Sequence, residues 1–421
     1  MSSTPDVPNQ GFRLSQLVYD TRYRSLTIQT VTLILVLLGF GWLINNTVQN
    51  LQDLGKDFNF GFLWNRAGYD IGQLPIPYTN DSTHARAALV GLINTLWVSL
   101  LGCAAATVLG IFVGVLRLSH NWLIARLMTV YVEVFRNIPV LLWILISLAV
   151  LTEVSPQPRD FKINPETGVA KAEMILFDTV AVTNRYTAIP AGSFTRGIDP
   201  IETPLAPISV NFLIVAAIVA ASIWANRKLL ANATKVQELT GRRPVTWWKS
   251  LLILFGPLIA ALVVMGFEMH APELKGFNFS GGTNVSNALV ALWLGLTLYT
   301  AAFIAEIVRA GIMAISKGQT EAAFALGLRP NRTMKLVVLP QALRVIVPPL
   351  ISQYLNLTKN SSLAIAVGYA DLRATLGGTT LNQTGRELES ILLMMLIYLM
   401  ISLTISGVMN LYNRSVKLKE R

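Results

Sequence analysis

Glu306 and Arg309 stand three residues apart inside a long apolar run. That spacing lets the two side chains meet on one face of a helix. Ionisable groups are costly in such surroundings and by default mark function. The pair is read either as a structural ion pair or as part of a polar route through the protein. A second polar group, Asn356, Thr358, Lys359, Asn360 and Ser361, follows Pro348-Pro349. Two prolines remove two backbone donors and leave carbonyls upstream unpaired. Either the helix breaks there, and its free backbone and amide groups replace the water lost by a zwitterion, or the helix simply leaves the apolar layer near Lys359. Asn94 and Thr95 join this candidate route, although such groups also serve as hydrogen-bonding links between helices.

A third stretch runs from Lys317 to Pro330. Glu321 to Leu326 has high helix propensity. Gly327 can end that helix as a left-handed cap, with Pro330 as a stop. The short helix is expected to expose Phe324 and Leu328 beside Arg329 and Arg332. An exposed apolar pair rimmed by charge suggests a protein contact; the competing reading is an amphipathic turn resting on lipid.

Other chemistries lack their residues. No G-x-x-x-x-G-K-[ST] phosphate loop occurs, so the chain is not expected to hydrolyse ATP itself. His84, His120 and His270 are scattered and Cys103 is the one cysteine, which predicts no metal site, no cofactor and no catalytic residue.

The elements that position these groups follow from composition. The 421 residues are 53% hydrophobic and only 14% charged, against roughly 25% charged for soluble domains. A helix crosses a bilayer with about 20 apolar residues and satisfies its own backbone while doing so. Eight segments qualify: 26–44, 89–116, 127–151, 208–225, 251–267, 288–308, 345–368 and 391–411. The first is read as a retained anchor, because Ile44-Asn45-Asn46-Thr47 offers no small-residue cleavage site. The fold class is therefore all-α, a polytopic helical membrane protein of about eight transmembrane helices.

The net charge of +11 comes from Lys and Arg flanking the apolar runs, not from a separate basic domain. Nucleic acid is thus not an expected partner, and membrane lipid is. With both termini cytoplasmic, the basic residues gather in the short inside loops, as the positive-inside rule requires. Residues 152–207 fall outside and are rich in proline. Val180, Val182, Tyr186 and Ile189 suggest short strands there, in a segment that is either a tolerated insertion or a docking cap. Gly102, Gly110 and Gly114, four or eight residues apart, are assigned to close helix packing.

The stretch Glu321-Ala322-Ala323, then Gly327, then Val337-Val338-Leu339-Pro340 resembles the EAA motif of binding-protein-dependent ABC importer permeases. Gly91-Leu92-Ile93-Asn94-Thr95-Leu96, Tyr131-Val132-Glu133-Val134-Phe135-Arg136-Asn137-Ile138-Pro139, Ala305-Glu306-Ile307-Val308-Arg309-Ala310-Gly311-Ile312 and Lys359-Asn360-Ser361-Ser362-Leu363 resemble its polar amino acid, histidine permease-like branch. The extra spans resemble general L-amino acid permeases. The resemblance implies a type I ABC importer core with added helices in a bacterial inner membrane. It implies a coupling helix at Gly318, Glu321, Ala322, Ala323, Phe324, Gly327 and Leu328 that seats on an ABC ATPase subunit. It also implies a second, unlike permease, a periplasmic amino-acid-binding protein, and alternating access as the means of import. Asn360 stands where relatives often carry Asp, which argues against a simple preference for cationic amino acids. The expected organisation is 1–87 (N-terminus, anchor and external loop), 88–151 (first core part), 152–287 (insertion with two extra spans), 288–414 (second core part) and 415–421 (basic tail). The main rival, an ion-coupled secondary transporter, calls for inverted repeats, and no clear repeat is found.

Overall fold

A computed structural model describes residues 21–53, 55, 57–163, 168–203 and 207–416. Among the basic residues that flank the spans and set the orientation, Arg13, Lys56, Lys417, Lys419 and Arg421 lie outside the described residues, as do Pro165 and Pro204 of the proline-rich segment. The chain divides into residues 1–61 and 62–421. In the first unit, helix α1 (Thr21–Asp53) is apolar along its middle, with Leu26 to Ile44 largely exposed. At about 1.5 Å per residue its 33 residues exceed the thickness of a bilayer core.

In the second unit the long helices are α2 (His84–Leu116), α5 (Val210–Thr240), α6 (Trp247–Val264), α7 (Asn287–Met313), α10 (Leu339–Asn360) and α13 (Glu387–Val416). Shorter ones are α3 (Trp122–Asn137), α4 (Val140–Ala149), α8 (Lys317–Ala325), α9 (Pro330–Thr333), α11 (Leu372–Ala374) and α12 (Leu381–Thr384). Helix α7 is the centre of the bundle: 61% of its apolar stretch is buried, against none for α6 and α13. Small residues make this possible. A Cβ on Gly110 would stand 2.6 Å from the Ile304 side chain, one on Gly114 2.7 Å from the Ala305 carbonyl, and one on Gly295 2.7 Å from Ile144. Backbones can approach this closely only where no side chain intervenes. The packing role expected of Gly102, Gly110 and Gly114 is what they have, Gly102 meeting Leu357. Around these contacts Val98, Ala106, Ile144, Leu292, Leu296, Ile304, Leu357 and Tyr369 form the core.

Three expectations need correcting. The third segment, 127–151, is not one straight span: α3 and α4 meet at 103°. A residue before proline is pushed out of the helical region, and Ile138, preceding Pro139, has φ −105° and ψ 135°. Counting this bent pair as one crossing, the described residues hold eight candidate spans. The fourth segment runs on well past residue 225, to Thr240, and ends at left-handed Gly241. The third concerns one of the two readings left open at Pro348-Pro349: they do not break α10, which runs on to Asn360 as the alternative reading had it. Packing of buried Ile346, Val347 and Ile351 holds the helix through the lost donors. Irregular backbone falls at its two ends instead, a π turn over Met334–Val338 and a 3₁₀ stretch over Ser361–Val367.

Outside the helices the described residues hold seven short strands: β1 (Ala181–Val182), β2 (Tyr186–Ile189), β3 (Ala191–Phe194), β4 (Phe267–His270), β5 (Glu273–Lys275), β6 (Asn278–Ser280) and β7 (Thr283–Ser286). They pair as β1-β2-β7, β3-β4 and β5-β6, all antiparallel. Val182, Tyr186 and Ile189 thus lie on strands, as their β-branched and aromatic pattern suggested. The pairing of β2 with β7 closes the segment between α4 and α7 on itself. Asn287 at the head of α7 fastens it by donating to the Thr183 carbonyl at 2.8 Å.

Candidate functional site

Helix α8 starts after Ser316 and stops at a cap built by Gly327. The Gly327 N–H donates to the Phe324 carbonyl at 2.8 Å and the Leu328 N–H to the Ala323 carbonyl at 3.1 Å. This is the Schellman arrangement, which needs a left-handed residue at that position, and Gly327 has φ +77°. Ala323 is buried, whereas Gly318, Glu321, Ala322 and Phe324 are exposed. Leu328, expected on the surface, is half-buried, because the cap folds the chain back over the end of the helix; Leu326, at 82% exposure, takes its place on the outside. Pro330 does more than stop α8, since it opens α9 at its first turn, where a missing N–H costs nothing. Gln341 of α10 donates to Gln319 at 3.4 Å, tying α8 to the next long helix.

Near the α8 end of α7, Glu306 accepts from Arg309 at 2.7 Å, as the i, i+3 spacing predicts. It also accepts from Arg117 at the C-terminus of α2, and Arg136 at the end of α3 lies 3.9 Å away. The Arg117 side chain is 8% exposed. One carboxylate therefore joins three helices on the side where α8 leaves the bundle. Arg117 and Arg136 were visible in the sequence only as flanking charges; a pairing across 189 residues leaves no local periodicity.

Asn94 and Thr95 make the hydrogen-bonding links that were their alternative reading. Asn94 donates to the Gln73 and Ala370 carbonyls at 3.1 and 2.9 Å. The Thr95 hydroxyl donates to the Gly91 carbonyl and accepts from the Leu372 N–H at 3.0 Å. Both hold the segment after α10 against α2. Thr358 and Ser361 spend their hydroxyls on the Tyr354 and Thr358 carbonyls of their own helix and are buried. Lys359 and Asn356 remain exposed and Asn360 half-buried. Glu306 is not brought to this group: α10 runs back across the bundle from the α8 side, so Asn360 ends toward the opposite side.

Lys359 instead shares a cleft of about 420 Å³ with Ser362, Arg373, Gly377, Ile391, Met394 and Tyr398. Among the described residues neither Lys359 nor Arg373 makes an ion pair. The Tyr398 hydroxyl donates at 3.2 Å to Asp371. Arg373, Tyr398 and Asp371 were not singled out from the sequence. A charged pair, Asp371 and Arg373, just past Gly368 was the available signal.

Asp371 caps α11, accepting the Ala374 N–H at 2.8 Å, and is fully buried. Burial pushes its carboxyl up to about 6, with its hydrogen-bonding partners and Arg373 opposing. The folded state then holds a proton that the unfolded state releases at about 3.9. Stability is greatest below that unfolded value and falls as pH rises through about 6, by up to about 3 kcal/mol. Thermal unfolding of wild type and Asp371→Asn, compared at pH 5 and pH 7.5, should show the wild type losing stability that the variant keeps. Equal losses in both would remove Asp371 as the source.

With the geometry in place, comparison with known proteins gives consistent matches. The family described as "Binding-protein-dependent transport system inner membrane component" matches residues 106–418. A glutamate/glutamine/aspartate/asparagine transport system permease protein of Rhodobacter capsulatus is 62% identical over 100% of both chains. A general L-amino acid transport system permease protein of Rhizobium johnstonii is 43% identical over 99% of this chain and 98% of its own. A solved chain from an amino acid ABC transporter is 19% identical, covering 79% of this chain and 95% of its own, with a TM-score of 0.44.

Proposed function

The chain belongs to the family of binding-protein-dependent transport system inner membrane components, and from that premise we propose that it carries acidic amino acids and their amides as one of two unlike permease subunits. The observation that carries this reading is the cleft where Lys359 and Arg373 face Ser362 and Tyr398. A dicarboxylic amino acid that enters a membrane protein needs partners for two carboxylates, and two cations without an ion-paired acid supply them. Asn360 in this neighbourhood, where an Asp would repel such a substrate, fits the same preference. One relative's name points the same way, naming glutamate and aspartate with their amides, while the other names general L-amino acids. In this reading the route passes Asn356 to Ser362. Substrate arrives from a periplasmic binding protein, and α8 seats on an ATPase subunit that hydrolyses the ATP. Both termini are then cytoplasmic, on the side of α8.

Charge at the cleft gives the test. Uptake of labelled glutamate, aspartate, glutamine and asparagine is measured in proteoliposomes holding the complete transporter. Lys359→Gln with Arg373→Gln should reduce acidic amino acid uptake by about tenfold or more relative to the amides, one lost charge-assisted hydrogen bond being worth ~1.5–3 kcal/mol. An equal loss for all four would assign the two residues to structure, and unchanged uptake would move the route elsewhere.

A further inference from the structure

Helices α5 and α6 stand antiparallel and pack mainly on each other, leaving a groove of about 560 Å³ between them. Its walls are Ile218, Ala221, Ser222 and Ala225 on α5, and Leu252, Gly256, Pro257 and Ala260 on α6 among others. Gly256 lines the groove with open space before it: a Cβ there would meet only Leu252 of its own helix, at 3.8 Å. In a membrane such a groove is filled by hydrocarbon, which is indifferent to headgroup. What surrounds one end of it is not indifferent.

Lys228 follows Ala221 by seven residues and Ala225 by three, so it continues the groove-lining face of α5 by one turn. Lys249 precedes Leu252 by three and Ile253 by four, and continues the facing side of α6 in the same way. Both lysines are exposed, and each lies over a tryptophan ring, Lys228 at 3.9 Å from the centre of Trp224 and Lys249 at 5.4 Å from that of Trp248. Amphipathic tryptophans sit at the headgroup level of a bilayer. The segment beyond the groove adds Arg227, Lys235, Arg242 and Arg243 against a single acid, Glu238.

We propose that the α5–α6 hairpin binds one anionic phospholipid, its phosphate between Lys228 and Lys249 and one acyl chain lying in the groove. The chain gains little by leaving the bilayer, since both surroundings are apolar. Affinity comes from the two cations, and the groove fixes where the headgroup stands. The cationic end meets the leaflet whose anionic lipids attract basic segments. This inference uses the membrane placement of the hairpin and is independent of the amino acid carried.

The test uses the complete transporter in nanodiscs of phosphatidylcholine containing a minor fraction of phosphatidylglycerol, with retained lipid counted by native mass spectrometry. Wild type should keep phosphatidylglycerol in preference to phosphatidylcholine. Lys228→Gln with Lys249→Gln should lower that retention by about tenfold or more. Gly256→Phe, which fills the groove and leaves every charge in place, should lower it comparably. Arg242→Gln with Arg243→Gln, in the exposed loop, should lower it far less. The proposal is overturned if wild type retains no lipid because the partner permease covers the groove, or if it shows no headgroup preference. It is equally overturned if Gly256→Phe retains lipid normally, or if the arginine pair matters as much as the lysines, since diffuse charge would then account for the binding.

Discussion

Replacing Gly327 with valine is expected to abolish productive coupling: uptake falls by an order of magnitude or more, while the protein still inserts and assembles. The reason is conformational. Gly327 has φ +77°, a region that costs an L-residue roughly 1–2 kcal/mol and a β-branched one more. No atom lies within 4 Å of the position a Cβ would take, so the penalty is one of backbone alone and not of collision. That separation gives a graded series. Asparagine, which tolerates the left-handed region, should retain most uptake. Alanine should be intermediate and valine worst. Losing the cap frees the Ala323 and Phe324 carbonyls and releases Leu328, so the exposed face carrying Glu321 and Phe324 is no longer presented at a fixed angle. The measurements are substrate-stimulated ATPase activity of the reconstituted complex and amino acid uptake by the same vesicles. Basal hydrolysis by the ATPase subunit should persist while its link to uptake is lost. A flat series, with valine as active as asparagine, would detach α8 from coupling.

That site was readable in the sequence because its determinants are local. A helix-forming run followed by glycine and proline specifies a short capped helix whatever surrounds it, and the burial of Leu328 is the one detail it missed. Glu306 and Arg309 were legible for the same reason, since three residues on a helix guarantee proximity. The spans were legible from composition, because lipid imposes length and apolarity on every crossing. The bend at Ile138-Pro139 obeys an equally local rule, but a long apolar run on either side hid it. At Pro348-Pro349 the local rule left two readings open, a break or a helix that runs on to Lys359, and the packing of α10 selects the second. That Asn94 and Thr95 could serve as hydrogen-bonding links was legible, but their partners at Ala370 and Leu372 were not, because they lie more than 270 residues away. The cleft at Lys359 was half legible: its lysine lies on a polar run, and Arg373 and Tyr398 reach it only through the fold.

Glu306 shows how far such a long-range contact can govern the molecule. Changing it to glutamine leaves Arg117, Arg136 and Arg309 gathered around a neutral amide. Arg117, almost out of contact with solvent, cannot recover its hydration, and leaving a buried charge uncompensated typically costs 3–5 kcal/mol. Arg136 loses less, since it is more exposed and also lies 5.2 Å from the Phe303 ring centre. The expected result is a marked fall in the apparent melting temperature in detergent and in the yield of assembled complex. A double change, Glu306→Met with Arg117→Met, should recover part of the loss, because it removes the stranded charge with its partner and leaves two apolar side chains of comparable size. The double-mutant cycle therefore carries a large coupling energy if the pair is a true buried bridge, and a small one if each group is independently hydrated. Additive effects, or a melting temperature for Glu306→Gln equal to that of wild type, would show that the cluster is not what joins α2 and α3 to α7. If the coupling is large, the carboxylate is what holds α2 and α3 to α7 on the side where α8 leaves the bundle. Glu306→Asp, which keeps the charge but shortens the reach, should then retain more stability than transport.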